Sequence, residues 1–402
     1  MAGATLTTLS NILKDFYLPP VVEQLNNEVL LLQRLESQSE DLFGNRAVVP
    51  VHTARSGGIG PALEGAALPA AGNQQYNKAT YDLKYLYGRI GVTGPSIAKT
   101  ASEAGSFLRA LKAEMDGIRA DLRRDVARQV YGSGFGNGLV AKCGTTTAAN
   151  VVVLASTESV IKGHLYVGMV VDIGTSPGAT SVATARNITA IDVVAGTITI
   201  DGAAVTTGAT NFVARSGAGN GEILGVTEYV SDTAGVVIGG LNPATAGNEV
   251  WENKRLMNAG TPRSVSLDLI AQAYAQSRIA GGEVSLMVGS IGMERAIFLL
   301  LQSQVRYTDP DNLDGGFKAL EVMGKPFVAD RDAPFKRITL LQENRVKVFS
   351  NRDWHFLDED GLTLKWVSGF DKWEAVLARY INIGPTQRNV QVILGDLTDA
   401  GV

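Results

Sequence analysis

Leu108, Leu111, Met115, Ile118, Leu122, Val126 and Val130 recur at steps of three and four, and Arg109, Lys112, Asp116, Arg119, Asp121, Arg123, Arg124, Asp125 and Arg128 fill the positions between them. This spacing predicts one amphipathic helix over residues 100–131 with a narrow apolar stripe. Thr100 and Glu103 have the spacing of a capping box at its start, and the glycine-rich run 132–138 ends it. About 30 residues at 1.5 Å each make a rod of roughly 45 Å, which needs something along its length to pack against.

Upstream the periodicity differs. After Pro19 and Pro20, the set Val21, Val22, Leu25, Val29, Leu32 and Leu35 predicts a helix of about four turns that ends in the polar run 37–41. Alone it could not bury its apolar side, so it packs back on its own body or clasps a neighbour. From Arg46 the period becomes two, with Val48, Pro50 and His52 alternating with Ala47, Val49 and Val51. A Gly/Pro/Ala-rich stretch follows, and a second strand returns from Tyr76. Tyr81, Leu83, Tyr85 and Tyr87 share one side of it, and the shift to Ile90 and Val92 after Gly88 predicts a bulge there. The two strands make an extended hairpin with a tip of about 20 residues, and a two-stranded ribbon of that kind is marginal without a surface to lie on.

Downstream of the long helix, residues 144–218 lose nearly all charge and become rich in Thr, Val, Ala and Gly. Short strands over 151–154, 169–173, 186–193, 197–200 and 211–214 predict an inserted small β-barrel or sandwich. Beyond it the pattern is mixed: helices over 265–279, with Thr261 or Ser264 near the start, and 292–301; strands over 284–288, 327–329 and 338–341; then strands over 346–349, 362–367, 374–383 and 390–394. The fold class is α+β.

The composition narrows the function. The 402 residues are 45% hydrophobic, enough for a sizeable core, and a formal charge of -4 excludes a strongly basic, sequence-reading nucleic-acid binder. Cys143 is the single cysteine, so neither an intrachain disulfide nor a multi-thiolate metal site can form. No basic-then-apolar leader and no run of about 18 uncharged apolar residues is present, which reads as neither secreted nor membrane-spanning and places synthesis in a cytoplasm.

Candidate chemistry is sparse. His52, His164 and His355 stand in separate segments and read as structural, and Cys143 lacks neighbours that would activate a thiol. The glycines of 132–138 follow a helix rather than precede one, and Gly324-Lys325 is followed by Pro326 instead of a hydroxyl residue, so neither forms a phosphate loop. Asp309, Asp311, Asp314 and Gly315 do not match calcium-loop spacing, the run 358–361 reads as a turn, and the Lys112–Asp116 and Asp125–Arg128 pairs read as ordinary helix-surface pairs. No catalytic, cofactor-binding or metal-ligating set emerges; the expectation is a non-enzymatic protein that binds copies of itself.

Several motifs, in order, carry a resemblance. Phe43-Gly44-Asn45-Arg46 opens the hairpin, Glu64-Gly65-Ala66-Ala67-Leu68-Pro69 lies at its tip, and 84–98 lead into the helix; Tyr131-Gly132-Ser133-Gly134 and Gly324-Lys325-Pro326-Phe327-Val328-Ala329-Asp330 follow. Together they resemble the major capsid proteins of tailed double-stranded DNA phages, with the Hong Kong 97-type fold. The resemblance covers nearly the whole chain apart from the insertion (144–218) and implies an N-terminal arm (1–45), an extended loop (46–95), a peripheral domain with the spine helix (96–143), an axial domain (263–345) and peripheral C-terminal strands (346–402), with 219–262 as the connection back to the capsid core. It implies hexamers and pentamers closing into an icosahedral virion shell around non-specifically packaged double-stranded DNA, formed through a procapsid in the host cytoplasm. Portal and scaffolding proteins are implied partners, with room for a decoration protein and none for a membrane.

Candidate inter-subunit contacts are Arg46, Arg55, Glu64, Lys78, Lys84, Arg119 and Arg123, with charge pairs between the Arg55 and Glu64 region and a neighbour's helix expected to set register. Two features depart from parts of the family. The arm is reached within about 20 residues, so any scaffold is expected to be a separate protein. Some relatives crosslink a loop lysine to a neighbour's asparagine; the tip has no lysine, which leaves Lys78 and Lys84 with Asn382 or Asn389 and makes crosslinking unexpected. The rival readings are an encapsulin-like nanocompartment shell and a soluble enzyme.

Overall fold

The computed structural model describes residues 30–36, 39–42, 44, 46–95, 104–175, 181–302, 311–313, 317–357 and 364–399. The long helix is present as Ala104–Tyr131, and the Thr100–Glu103 cap lies outside the described residues. Leu122, Val126 and Val130 are buried at four-residue steps, so they line one side of the rod. The helix ends where Gly132, at φ 73°, donates its N–H to Arg128 O at 2.9 Å, a left-handed cap that a side chain would strain.

Alongside the helix runs a five-stranded sheet. Its centre is Lys372–Pro385, antiparallel to Val346–Phe356 on one side and to Lys84–Thr93 on the other; Ser39–Asp41 and Lys365–Trp366 complete it. Ala375, Leu377, Ile381 and Ile383 are buried on one face at strand spacing. The short helix Leu30–Glu36 sinks Leu31, Leu32 and Leu35 into the same cluster as Val126 and Ile383, so this part of the N-terminal helix packs on its own body.

The returning strand of the hairpin departs from expectation. It breaks at Leu83: Gln75–Asp82 pairs with Arg46–Ala54, and Lys84–Thr93 leaves to join the five-stranded sheet. Tyr81 and Leu83 are buried while Tyr85 and Tyr87 are exposed, so the four do not share a face. There is no bulge at Gly88, because pairing with Lys372–Pro385 runs unbroken from Lys84↔Ile381 to Thr93↔Lys372. Glycine at 88 serves the helix instead: a Cβ there would stand 2.5 Å from Leu122 Cδ1 and 2.9 Å from Ile118 Cγ1. Helix and strand approach this closely only because position 88 has no side chain.

The low-charge segment forms a closed barrel. Its strand order is Leu139–Lys142, Phe212–Arg215, Val170–Gly174, Ser181–Asp192, Thr197–Ile200 and Val151–Val153. The antiparallel Cys143–Leu154 bridge joins the two ends, with Gly144 N–H donating to Val153 O at 2.8 Å and Ala155 N–H to Lys142 O at 2.9 Å. Closure removes the sheet edges. Cys143, Val152, Val171, Ile173, Ile198 and Val213 fill the interior with almost no exposure, which gives the barrel its own core. The sheet begins at Leu139, ahead of the composition change at 144; Leu139, Val140 and Ala141 are all buried, so no alternation marks this strand in the sequence.

The third unit is a mixed seven-stranded sheet, ordered Lys254–Leu256, Val392–Leu394, Ile338–Leu341, Leu286–Gly289, Lys325–Ala329, Phe317–Val322 and Asp311–Leu313. Met287, Phe327, Leu340, Val392 and Leu394 pack with Ile270, Ala273, Met293 and Ile297 of helices Leu267–Ile279 and Ile291–Gln302. Alternate residues Leu286, Val288, Val328, Leu341 and Ile393 belong to the cluster that holds Tyr131 and Val130. One sheet therefore serves two cores, as its period of two requires. Ser266, not Thr261 or Ser264, caps the first helix, accepting from Leu269 N at 3.2 Å. The chain's last strand pairs into this sheet rather than with its C-terminal neighbours.

Candidate functional site

No helix among the described residues is long and apolar enough to cross a membrane, and no group of three or more His, Cys, Asp or Glu there could hold a metal ion. The Asp309–Gly315 cluster and the 358–361 turn lie largely outside the described residues. What the structure offers is surface.

Residues 55–74, between the two hairpin strands, form neither helix nor strand, and Ile59, Leu63 and Leu68 are 79%, 85% and 84% exposed. Three large apolar side chains within ten residues of chain thus stand in water in the lone subunit. The root of the hairpin is firmly held. Tyr81 is buried, stacks on Phe349 at 5.6 Å between ring centroids, and donates its hydroxyl to Pro385 O at 2.8 Å. Its ring lies where a Cβ on Gly384 would be, 2.7 Å away. Six residue steps of strand lie between Tyr81 and Gln75, and at about 3.3 Å each they carry the tip roughly 20 Å from that anchor.

The seven candidate contact residues fall into three groups. Arg55, Glu64 and Lys78 are exposed on the hairpin and its tip. Arg46 and Lys84 have partners in their own chain: Arg46 Nε stands 3.3 Å from Asp82 Oδ1 at the hairpin root, and Lys84 Nζ donates to Asn220 O at 2.6 Å. Arg119 and Arg123 are exposed on the long helix, where Arg119 pairs with Asp116 at 3.5 Å and lies over the Phe356 ring. Nothing gathers the seven into one patch.

A polar junction fixes the barrel to the rest of the chain. Lys162 is 3% exposed; its Nζ donates to Ala333 O at 2.6 Å and pairs with Glu158 Oε1 at 2.5 Å, and it lies 4.4 Å from the Phe335 ring centroid. His164 Nε2 meets Asp332 Oδ1 at 2.9 Å, Asp330 Oδ1 accepts from Asp332 N, and Asp330 Oδ2 accepts from the Tyr131 hydroxyl at 2.9 Å. Burial lowers Lys162, and Glu158 only partly offsets it; burial likewise lowers His164 against the pull of Asp332. Asp332 is pushed up by burial but held below the usual carboxylate range by His164 and its cationic neighbours. The network runs from the barrel through loop 330–335 to the end of the long helix.

A second network lies at the barrel's exit. Arg128, expected on a solvated helix face, is 5% exposed and grips Glu222 through Nη1–Oε2 at 3.1 Å and Nη2–Oε1 at 2.5 Å. Asp125 accepts from Arg128 at 3.2 Å and Gln129 at 2.8 Å, and Arg215 reaches it at 3.2 Å. Burial raises Asp125, and the two arginines overcome this and hold it low. Beside this network a crevice of about 500 Å³ opens between the helix, strand Lys84–Thr93 and the barrel, walled by Ile118, Leu122, Arg124 and Arg215. A helical charge at three-residue spacing signals a surface pair; only the fold brings Glu222 and Arg215 against it.

No family model and no curated protein matches this sequence. Solved structures do. A chain of the cyanophage A-1(L) capsid asymmetric unit matches at TM-score 0.65 and 12% identity, covering 98% of this chain and 100% of that one. This chain has the Hong Kong 97-type capsid fold. The capsid of the native GTA particle matches at TM-score 0.53 and 12% identity over 99% and 100% of the two chains. The holo-SrpI encapsulin complex from Synechococcus elongatus matches at 0.52 and 8% identity over 100% and 98%. Identities this low establish the fold and nothing finer. Within this capsid fold, Asn382 is a poor crosslinking partner: it is buried, its Oδ1 accepts from Leu224 N at 3.0 Å and its Nδ2 donates to Asp82 O at 2.6 Å.

Proposed function

We propose that the chain is the major capsid protein of a tailed double-stranded DNA phage, a structural subunit that assembles through hexamers and pentamers into an icosahedral shell. The observation that carries the reading is the exposed apolar tip at Ile59, Leu63 and Leu68 on a rooted hairpin, in a chain with the capsid fold over nearly its full length. A subunit that stayed alone would leave that surface in water. On this reading residues 1–45 are the arm, 46–95 the overlapping loop, 263–345 the axial domain, and the strands beside the long helix the peripheral domain. Portal, scaffolding and decoration proteins and packaged DNA are the partners it would meet in a host cytoplasm. The buried networks serve rigidity rather than catalysis.

Purified chain examined by sedimentation and electron microscopy tests the reading. Megadalton hollow shells are expected; a discrete monomer or dimer under all assembly conditions overturns it. Nucleic acid in particles from infected or expressing cells separates a phage shell from the encapsulin-like shell whose fold it shares.

A further inference from the structure

We propose that Asn220, at the exit of the barrel, is a site of spontaneous covalent modification: it loses its side-chain amide to give isoaspartate, and Lys84 holds the carboxylate that forms.

The chain has two Asn-Gly pairs, Asn137-Gly138 and Asn220-Gly221, which flank the barrel strands. Asparagine before glycine is the reactive arrangement, because no side chain shields the following backbone nitrogen from the asparagine Cγ. The fold separates the two. Asn137 is locked: its Nδ2 donates to Glu222 O at 2.6 Å and Ile223 O at 3.2 Å, and its Oδ1 accepts from Glu222 N at 3.2 Å. Asn220 stands in an exposed turn at φ 57°, and its side chain has no hydrogen-bond partner among the described residues. One backbone bond, from Gly221 N–H to Ala218 O at 2.6 Å, closes the turn and must open for the reaction. A single bond at an exposed turn opens far more often than the three that hold Asn137.

In the first step Gly221 N bonds to Asn220 Cγ, the Cγ–Nδ2 bond breaks, and ammonia leaves with the Gly221 proton, closing a five-membered imide. In the second, water adds to one imide carbonyl carbon, the C–N bond there breaks, and the acid formed gives its proton to the ammonia. Attack at the former side-chain carbonyl yields aspartate. Attack at the main-chain carbonyl of residue 220 yields isoaspartate, with that carbonyl's oxygen on the new carboxylate. Lys84 Nζ stands 2.6 Å from this same oxygen, Asn220 O. An ammonium there draws charge from the main-chain carbonyl and directs water to it, and afterwards it faces a carboxylate instead of a neutral acceptor. The other carboxyls nearby are engaged: Glu222 is held by Arg128, and Glu228 accepts from Gly225 N. The product ties the start of strand Lys84–Thr93 to the barrel's exit by an ion pair.

Full-length chain aged in warm, mildly alkaline buffer, digested and read by mass spectrometry tests this, with isoaspartate told from aspartate by enzymatic methyl transfer. The Asn220 peptide is expected to convert about tenfold faster than the Asn137 peptide, or more. Equal rates, or no conversion at Asn220 while the same sequence as a free peptide converts fully, overturn the proposal. Lys84→Met is expected to lower the ratio of isoaspartate to aspartate about twofold or more, and Lys84→Arg to restore it. In denaturant the three chains are expected to give one ratio, because the bias comes from the fold. A ratio in folded chain that Lys84→Met leaves unchanged overturns the role of Lys84. The comparison of rates needs only wild-type chain, so it stands if a variant fails to fold.

Discussion

Arg128 of the long helix and Glu222 of the segment leaving the barrel form a two-pronged ion pair, at 3.1 and 2.5 Å, with side chains only 6% and 8% exposed. The pair lies 94 residues apart in sequence and joins the far ends of the insertion.

Removing one partner leaves the other charged and dry. Arg128→Met is expected to destabilise the unassembled subunit by about 3–5 kcal/mol, because Glu222 loses its counter-charge and Asp125 part of its own. Arg128→Met with Glu222→Leu is expected to recover most of that, since two apolar side chains leave no isolated charge. Denaturant unfolding of the single and double variants checks it.

The barrel junction makes a separate claim. Lys162→Met keeps the bulk of the side chain but removes its bonds to Ala333 O and Glu158. The barrel has its own core, so it is expected to stay folded while its docking loosens. Hydrogen exchange is expected to rise in 330–335 and 156–165 with little change at Ile173 or Ile198; a uniform rise would mean that barrel and body unfold as one.

Gly88→Ala is expected to cost about 1–3 kcal/mol, because the new methyl would stand 2.5 Å from Leu122 Cδ1 and helix and strand must move apart. Gly117 on the same helix has open space around it, and Gly117→Ala is expected to be neutral or slightly stabilising. Paired thermal melts distinguish a packing cost at 88 from a general effect of replacing glycine.

Glu228 titrates where few carboxyls do. Burial pushes it up to about 7, against the pull of the Gly225 N–H. A carboxyl raised above its unfolded value of 4.5 holds its proton more tightly when folded, so its contribution to stability is full below that value and is lost as pH rises towards 7. The loss is on the order of 3 kcal/mol. Glu228→Gln keeps the acceptor for Gly225 N and is expected to flatten this part of the stability profile, measured as unfolding midpoints from about pH 4.5 to 7.5.

Local pattern carried much of the fold. The four-residue steps of Leu122, Val126 and Val130, the alternation in 374–383 and the loss of charge after 144 each report which residues leave water, and the helix, the sheet centre and the barrel follow from them. The exposed tip was also legible, because twenty Gly-, Pro- and Ala-rich residues cannot bury themselves.

What the sequence left open is what depends on partners distant in the chain. The break at Leu83 arises because Lys84–Thr93 finds a longer partner in Lys372–Pro385 than the hairpin offers, some 290 residues away in register. Gly88 marks helix contact and not a bulge for the same reason. Arg128 reads as a surface charge until Glu222 closes over it, and only the fold brings loop 330–335 over Lys162. Periodicity reports burial by averaging over one element, whereas an ion pair's worth and a strand's choice of edge are set by the particular atoms on the other side, which only the tertiary structure supplies.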